Sequence, residues 1–313
     1  MACTTIVPRL RSLAVLLLFW SATAAALLGG EPDSDERYAA VIALGDGRRL
    51  HCSATKIGDD RFLTAAHCVA DTSKGGLDDA FRPGRRLFLS NRVSPVPSGD
   101  LLAVTVREVR LHASYLEALR RFYRYKEDKI RDFRERYSGE DLARRIRVVE
   151  RDALFTSRFP DLAILRVREP TPGIPILPVD CGPLHAGDRV EIVGYGYESL
   201  QGMALARRMR PYGRRNRGFT RVIRVDPVNF YSYAGELHSG SPSLSPGDSG
   251  GPVLRDGRVV GVNGTVYGLS RLDMARSNMS VNLNGLTGDT GLGCREFFGL
   301  PSDPGSGGRH SGE

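Results

Sequence analysis

After its first 28 residues the sequence has no apolar run approaching the roughly 20 residues that a membrane-crossing helix needs, so nothing beyond the N-terminus reads as a membrane anchor. Cysteine is scarce, at five in 313 residues. No segment repeats, apart from two similar strand-rich modules described below. The tail "PSDPGSGGRHSGE" (301–313) has no apolar side chain to bury and is expected to be disordered.

What is present at the N-terminus is a different kind of text. Arg9 and Arg11 precede the apolar run Leu13 to Trp20, and the small residues of "SATAAALL" (21–28) follow it. These are the features of a secretory signal peptide, with cleavage expected after Ala24 or Ala26, and residues 1–26 are read as the signal. The mature protein is then expected to be soluble in an oxidising compartment, extracellular or periplasmic, where thiols pair. Cys3 leaves with the signal, and Cys52, Cys68, Cys181 and Cys294 formally allow three pairings. The net charge of +8 falls to +6 once Arg9 and Arg11 are removed. Eight arginines crowd residues 207–224, "RRMRPYGRRNRGFTRVIR", which is either a solvated surface or a site for an anionic partner such as nucleic acid, polysaccharide or lipid headgroups.

With 41% hydrophobic residues the chain has enough apolar material for one large domain or two compact ones. From 38 to 111, short apolar runs such as "YAAVIAL", "HCSATKI", "RRLFLS" and "LLAVTVREVRL" alternate with turn residues, and a second series ("DRVEIVGYG", "FTRVIRV", "GGPVLRD", "RVVGVNGTVY") runs from 188 to 267. This spacing predicts two β-modules. Between them, "REPTPGIPILPVDCGP" is too rich in proline for a central strand and reads as a connecting strap. The module boundaries are placed at 27–175 and 176–300. One block departs from the pattern: apolar residues 116, 119, 123, 130, 133 and 137 recur at helical steps amid dense charge. The sequences Ser114-x-x-Glu117 and Ser138-x-x-Asp141 have the form of capping boxes, so helices are expected at about 115–137 and 141–152, within an insertion of about 115–157.

The segment "SPSLSPGDSGGPVL" (241–254) carries the candidate chemistry, with Ser249 among glycines. A serine hydroxyl becomes a nucleophile only beside a base, and the base must be held. Of six histidines, His67 stands out, because "FLTAAHCVA" ends an apolar run at a small-residue corner, whereas His112, His185 and His238 occupy polar turn contexts. His51-Cys52 and His67-Cys68 also suggest zinc. Neighbouring side chains on a strand point to opposite faces, however, which disfavours both members of each dipeptide meeting one ion, so a Cys52–Cys68 disulfide is expected. Asp161, in "RFPDLAILRV", heads an apolar strand where a carboxylate can orient an imidazole.

Together "LTAAHCV", "DLAILRV" and "GDSGGPV", in that order, resemble the signature segments of the trypsin/chymotrypsin-like serine peptidases. The resemblance covers nearly the whole mature chain. It implies an all-β fold of two antiparallel six-stranded barrels with the site between them, and a secreted serine endopeptidase that cleaves polypeptides with no metal or organic cofactor. His67 would be the general base, Asp161 its orienter and Ser249 the nucleophile, with the N–H groups of Gly247 and Ser249 forming the oxyanion hole. Asp248 would pair with a new N-terminal amine, and "LLGG" (27–30) resembles the segment that supplies it, so that signal cleavage after Ala26 would itself activate the enzyme. The specificity pocket maps to Ser243, Gly264 and Val266. Ser243 argues against a basic P1 residue, and Val266 favours small or medium apolar ones. Ser245 replaces a cysteine usual in the family, which leaves Cys181 to pair with Cys294, and Gly264 replaces a serine that helps hold the triad aspartate. The helical insertion falls where the family has a loop beside the non-primed substrate pockets. Two sequons, at Asn263 and Asn278, are formal glycosylation sites, the first of them read as chance. A rival reading is a binding protein on the same fold, acting through the helical insertion or the arginine run.

Overall fold

The computed structural model describes residues 27–33, 36–45, 50–94, 101–154, 156–197, 213–235, 240–267, 277–286 and 293–301, with backbone alone at 50, 51 and 267. The expected signal peptide, the tail beyond 301, and Arg207, Arg208 and Arg210 lie outside the described residues.

A short strand, β1 (Glu31–Pro32), precedes β2 (Val41–Gly45), β3 (Leu50–Gly58) and β4 (Arg61–Thr64). A small hairpin follows, β5 (Ala70–Asp71) and β6 (Gly76–Leu77), and then β7 (Arg86–Ser90) and β8 (Leu102–Leu111). Two helices, α1 (Ala113–Arg136) and α2 (Gly139–Arg151), separate β8 from β9 (Ala163–Val167). Strands β2, β3, β4, β9, β8 and β7 close into an antiparallel barrel in that order. Period-two alternation sets its inside: on β8, Val104 and Val106 are buried, and beyond them Arg107 and Glu108 are exposed where the register shifts. Strand β2 is buried on both faces, because the second barrel leans on its outer side and Tyr195 hydrogen-bonds to the Val41 carbonyl.

The second barrel contains β10 (Arg189–Gly194), β11 (Asn216–Val225), β12 (Asn229–Tyr233), β13 (Pro252–Arg255), β14 (Arg258–Tyr267) and β15 (Ser277–Asn282). They pair in the order β11-β10-β13-β14-β15-β12, and contact between β12 and β11 closes the ring. The proline-rich strap between the barrels makes one isolated bridge, Val179 to Val259, and is clamped by buried Lys56, whose Nζ donates to the carbonyls of Thr171 and Ile174. The termini cross over. Strand β1 extends the second barrel by pairing with β11, whereas the last helix, α3 (Cys294–Phe298), sends Phe297 and Phe298 into the core that includes the first.

The helical insertion forms, with a different start. The N-cap of α1 is His112, not Ser114: the His112 N–H donates to the Leu162 carbonyl and its own carbonyl accepts from Leu116, so strand register fixes the entry point. Ser138 does cap α2, but its side chain makes no cap hydrogen bond. Pairs such as Arg121–Glu117 and Arg136–Asp132 lace the exposed faces. Helix α1 packs on the β5–β6 hairpin through Tyr123, which covers Gly75. That glycine has a φ of +65°, and a Cβ there would approach the tyrosine Cβ to 2.8 Å. The insertion thus props the hairpin that follows His67.

Candidate functional site

Strand register brings the first two candidates together. Thr64, the last residue of β4, is the cross-strand partner of Ala163, the first of β9. A side chain three residues past one strand and another two residues before its antiparallel neighbour therefore share one end of the barrel. His67 sits there on a 3₁₀ turn (Ala66–Cys68), and buried Asp161 accepts from it twice, from the backbone N–H at 2.8 Å and from ring Nδ1 at 2.6 Å. Burial pulls the His67 pKa down, but the charge and hydrogen bond of Asp161 outweigh it and leave the imidazole above its ordinary value. Its side chain remains 36% exposed, open to a substrate.

The loop bearing Ser249 belongs to the second barrel but is sewn into the first. Ser53, fully buried on β3, donates its N–H to the Ser249 carbonyl (2.8 Å) and its hydroxyl to the Gly247 carbonyl (2.8 Å), and its Oγ accepts from the Tyr195 N–H (2.9 Å). Gly250, at φ +85°, passes so close to the Ser53 carbonyl that a Cβ would fall 2.2 Å from it. Any other residue there would push the barrels apart. Among the described residues the N–H groups of Gly247 and Ser249 have no internal acceptor, while those of Asp248, Gly250 and Gly251 do. Two adjacent unsatisfied donors are what a developing oxyanion needs.

The Ser249 hydroxyl donates to the Gly264 carbonyl at 3.0 Å, and no hydrogen bond joins it to His67 among the described residues. In unliganded sites such catalytic bonds often form only when substrate arrives. Gly264 brings no side-chain donor to Asp161, whose described partners are both on His67.

Asp248 is fully buried beneath the loop. Its carboxylate accepts from the N–H groups of Gly196 (2.7 Å) and Ser245 (2.8 Å) and from the Ser245 hydroxyl (2.9 Å). Burial dominates these bonds and raises its pKa to about 7. Ser245 thus holds the acid at the position where the family pattern has a disulfide. Nearby, Leu28 and Ser243 exchange backbone hydrogen bonds of 3.1 and 2.9 Å, and Leu27 is wholly buried in the apolar cluster that includes Leu244. The Asp33–Arg215 ion pair, buried at both ends, anchors the same segment.

Ser243 is buried, and Val266 packs into the small apolar cluster that includes Leu244. Asn278, also wholly buried, accepts from the Leu244 N–H and donates to the Pro242 carbonyl, which fixes the segment around Ser243. Both sequon asparagines, Asn263 and Asn278, are 0% exposed, so neither can carry a glycan in the folded protein. Ser53 and Asn278 were not apparent as site residues in the sequence, since each acts through partners distant along the chain, and Ser245, noted there only in place of a cysteine, acts on Asp248 three residues on.

Disulfides join Cys52 to Cys68 and Cys181 to Cys294. Sulfurs Cys52 Sγ and Cys68 Sγ lie near the His67 ring. Tied to each other, they offer no thiolate to a metal. In the arginine run, Arg215 pairs with Asp33, Arg217 with Glu31 and Glu191, and Arg224 with Asp226, while Arg221 donates to the Gly187 carbonyl.

A cavity of about 430 Å³ adjoins Ser249, His67 and Gly247, bounded on the first-barrel side by the Cys52–Cys68 disulfide and Phe81. The arrangement offers a charge-supported base, a hydroxyl and two free amides around one space.

Comparison with known proteins gives a consistent result. A family model described as a trypsin-like peptidase domain matches residues 52–262. Comparison with curated proteins found no match. Among solved structures, neuropsin, a serine protease expressed in the limbic system of mouse brain, is similar at 15% identity, over 83% of this chain and 96% of that one, with a TM-score of 0.54. A mutant of human heparin binding protein is similar at 14% identity, over 83% and 92%, with a TM-score of 0.52. At such identities the likeness concerns the fold.

Proposed function

Because this chain belongs to the trypsin-like peptidase family, we propose that it is a secreted serine endopeptidase, with His67 as base, Asp161 as its orienter and Ser249 as nucleophile. The observation that carries the reading is the doubly bonded His67–Asp161 pair facing the same cavity as Ser249. In the acylation step Ser249 Oγ attacks the scissile carbonyl, its proton passes to His67 Nε2, and the amides of Gly247 and Ser249 receive the negative charge. His67 then returns the proton to the leaving amine, the C–N bond breaks, and water attacks the acyl-enzyme by the same route in reverse. The hydroxyl must first leave the Gly264 carbonyl.

Activation by cleavage after Ala26 is part of the proposal. Leu27 adopts a φ of +55°, a conformation that crowds a non-glycine Cβ against the neighbouring peptide groups. Cutting the 26–27 bond removes the preceding carbonyl and much of that crowding. It also creates a cation beside the 243–248 segment, to which Leu28 is already paired. Val266, packed against the apolar cluster that includes Leu244, supports small or medium apolar P1 residues.

Covalent labelling by a fluorophosphonate probe tests the catalytic reading. Labelling of the mature protein that disappears in Ser249→Ala supports it. Absence of labelling in folded, processed protein favours the second reading, a binding protein on a protease fold, for which the bond from Ser249 to Gly264 is the observation in favour.

A further inference from the structure

The cavity at the site has a definite side. If the acyl half of a substrate lies toward Ser243 and Val266, with its carbonyl at the amides of Gly247 and Ser249, then the leaving half departs past His67 into the first barrel. The 430 Å³ cavity is on that side: it is lined by the Cys52–Cys68 disulfide, Ala80 and Phe81, and by none of the residues at 243, 264 or 266. Its walls are polar and apolar in about equal measure, the apolar part coming from the disulfide, Ala70, Ala80 and Phe81, and Asp78 is the one carboxylate among its lining residues.

Asp78 differs from the acids around it. Asp71 and Asp79 both pair with Lys74, and Asp79 also with Arg82. Asp78 accepts a backbone hydrogen bond, from the Ala80 N–H at 2.8 Å, and no Lys or Arg among the described residues comes within ion-pair distance of it. Lys74 and Arg82 are already engaged by its neighbours, which leaves one half-buried carboxylate without a counter-charge among the described residues, beside the apolar part of the cavity wall. A side chain with an aliphatic stem and a cationic end fits both features, since long basic residues lay their methylenes on apolar surface and keep the charge at a polar rim.

We propose that Asp78 makes this a leaving-group subsite selective for lysine or arginine on the amine side of the cleaved bond. The inference rests on the peptidase reading. It assigns opposite characters to the two halves of the substrate: apolar before the bond, basic after it.

Nucleophile partitioning tests it without knowledge of the acyl preference. p-Nitrophenyl acetate acetylates the serine and releases nitrophenolate in a burst. An added amino-acid amide then competes with water: its nitrogen forms the new C–N bond, the Ser249 Oγ–C bond breaks, and the amine proton passes through His67 to Ser249 Oγ. Acetylated arginine, lysine and leucine amides are quantified against acetate by mass spectrometry. Arginine and lysine amides are expected to capture the acetyl group about fivefold better than leucine amide, the scale of a partly exposed charge pair. Asp78→Asn should abolish the preference while keeping the turn, because asparagine caps as well as aspartate. Asp79→Asn, which removes an equal charge one residue away and outside the cavity lining, should retain most of it. Leucine amide capturing as well as arginine amide, or Asp79→Asn erasing the preference as fully as Asp78→Asn, overturns the proposal with the peptidase reading intact. Absence of any burst from folded, processed protein removes the peptidase reading and this inference with it.

Discussion

At the scale of the residue, proton affinities give the sharpest expectations. Asp161 raises the His67 pKa above its ordinary value near 6.5. Only the neutral ring accepts the serine proton, so kcat/KM should rise with pH through a midpoint above 6.5, and Asp161→Asn should lower turnover by roughly 10⁴, as expected for a triad aspartate. A pH–rate profile of both proteins checks this. The same raised pKa means that the pair stabilises the fold below about pH 6.5 and loses that contribution as pH rises through the folded value. His112 behaves in the opposite sense. It is buried beside Phe297 with both ring nitrogens unpartnered among the described residues, and burial, helped by the charge of Arg110, lowers its pKa to about 4. Its contribution is present above pH 6.5 and is lost as pH falls toward 4, on the order of 2 kcal/mol at pH 5. His112→Leu should remove that acid sensitivity, visible as urea midpoints at pH 5 and 7.5 that lie closer together than in the parent.

At the scale of the element, the turn carrying His67 is held by a disulfide closing a sequence separation of 16. Replacing both cysteines by alanine should cost about 3 kcal/mol, measured by urea unfolding, and should depress activity further by loosening the turn. Here too lies the boundary of what sequence reveals. The strands with alternating or continuous apolar residues were legible, and so were the helices, from their 3.6-residue period. Strands β12 (NFYSY) and β15 (SNMSVN) were not, because Asn229, Ser232, Asn278 and Ser280 point inward, so the polar-out pattern fails. The start of α1 was misplaced because a long-range register, not a local cap, decides it. The segments bearing His67, Asp161 and Ser249 were recognisable as local motifs. Ser53 was not, since the carbonyl it holds at Gly247 lies 194 positions away. The side on which the helical insertion packs, against the β5–β6 hairpin, was likewise invisible to periodicity.

At the scale of the whole molecule, the buried carboxylate of Asp248 couples processing to stability. With its pKa raised to about 7, the protein with an uncut N-terminus should lose stability as pH rises from about 4 through 7, as a carboxylate without a counter-charge ionises inside the fold. Protein beginning at Leu27 should be the more stable form at pH 7.5, and its advantage over a form beginning at Ala25 should shrink as pH falls toward 4, where the uncut form carries Asp248 protonated; thermal melts across pH decide it. The buried Asn278 has a consequence of another kind, in biosynthesis. A host that glycosylates nascent chains meets the Asn278-Met279-Ser280 sequon before folding hides it, and a glycan attached there would keep the Leu244 and Pro242 backbone groups from their partner. Ser280 offers the remedy, because its hydroxyl is buried without a hydrogen bond among the described residues. Ser280→Ala erases the sequon and an unsatisfied polar group together, so yield from such a host should rise while melting temperature holds or increases.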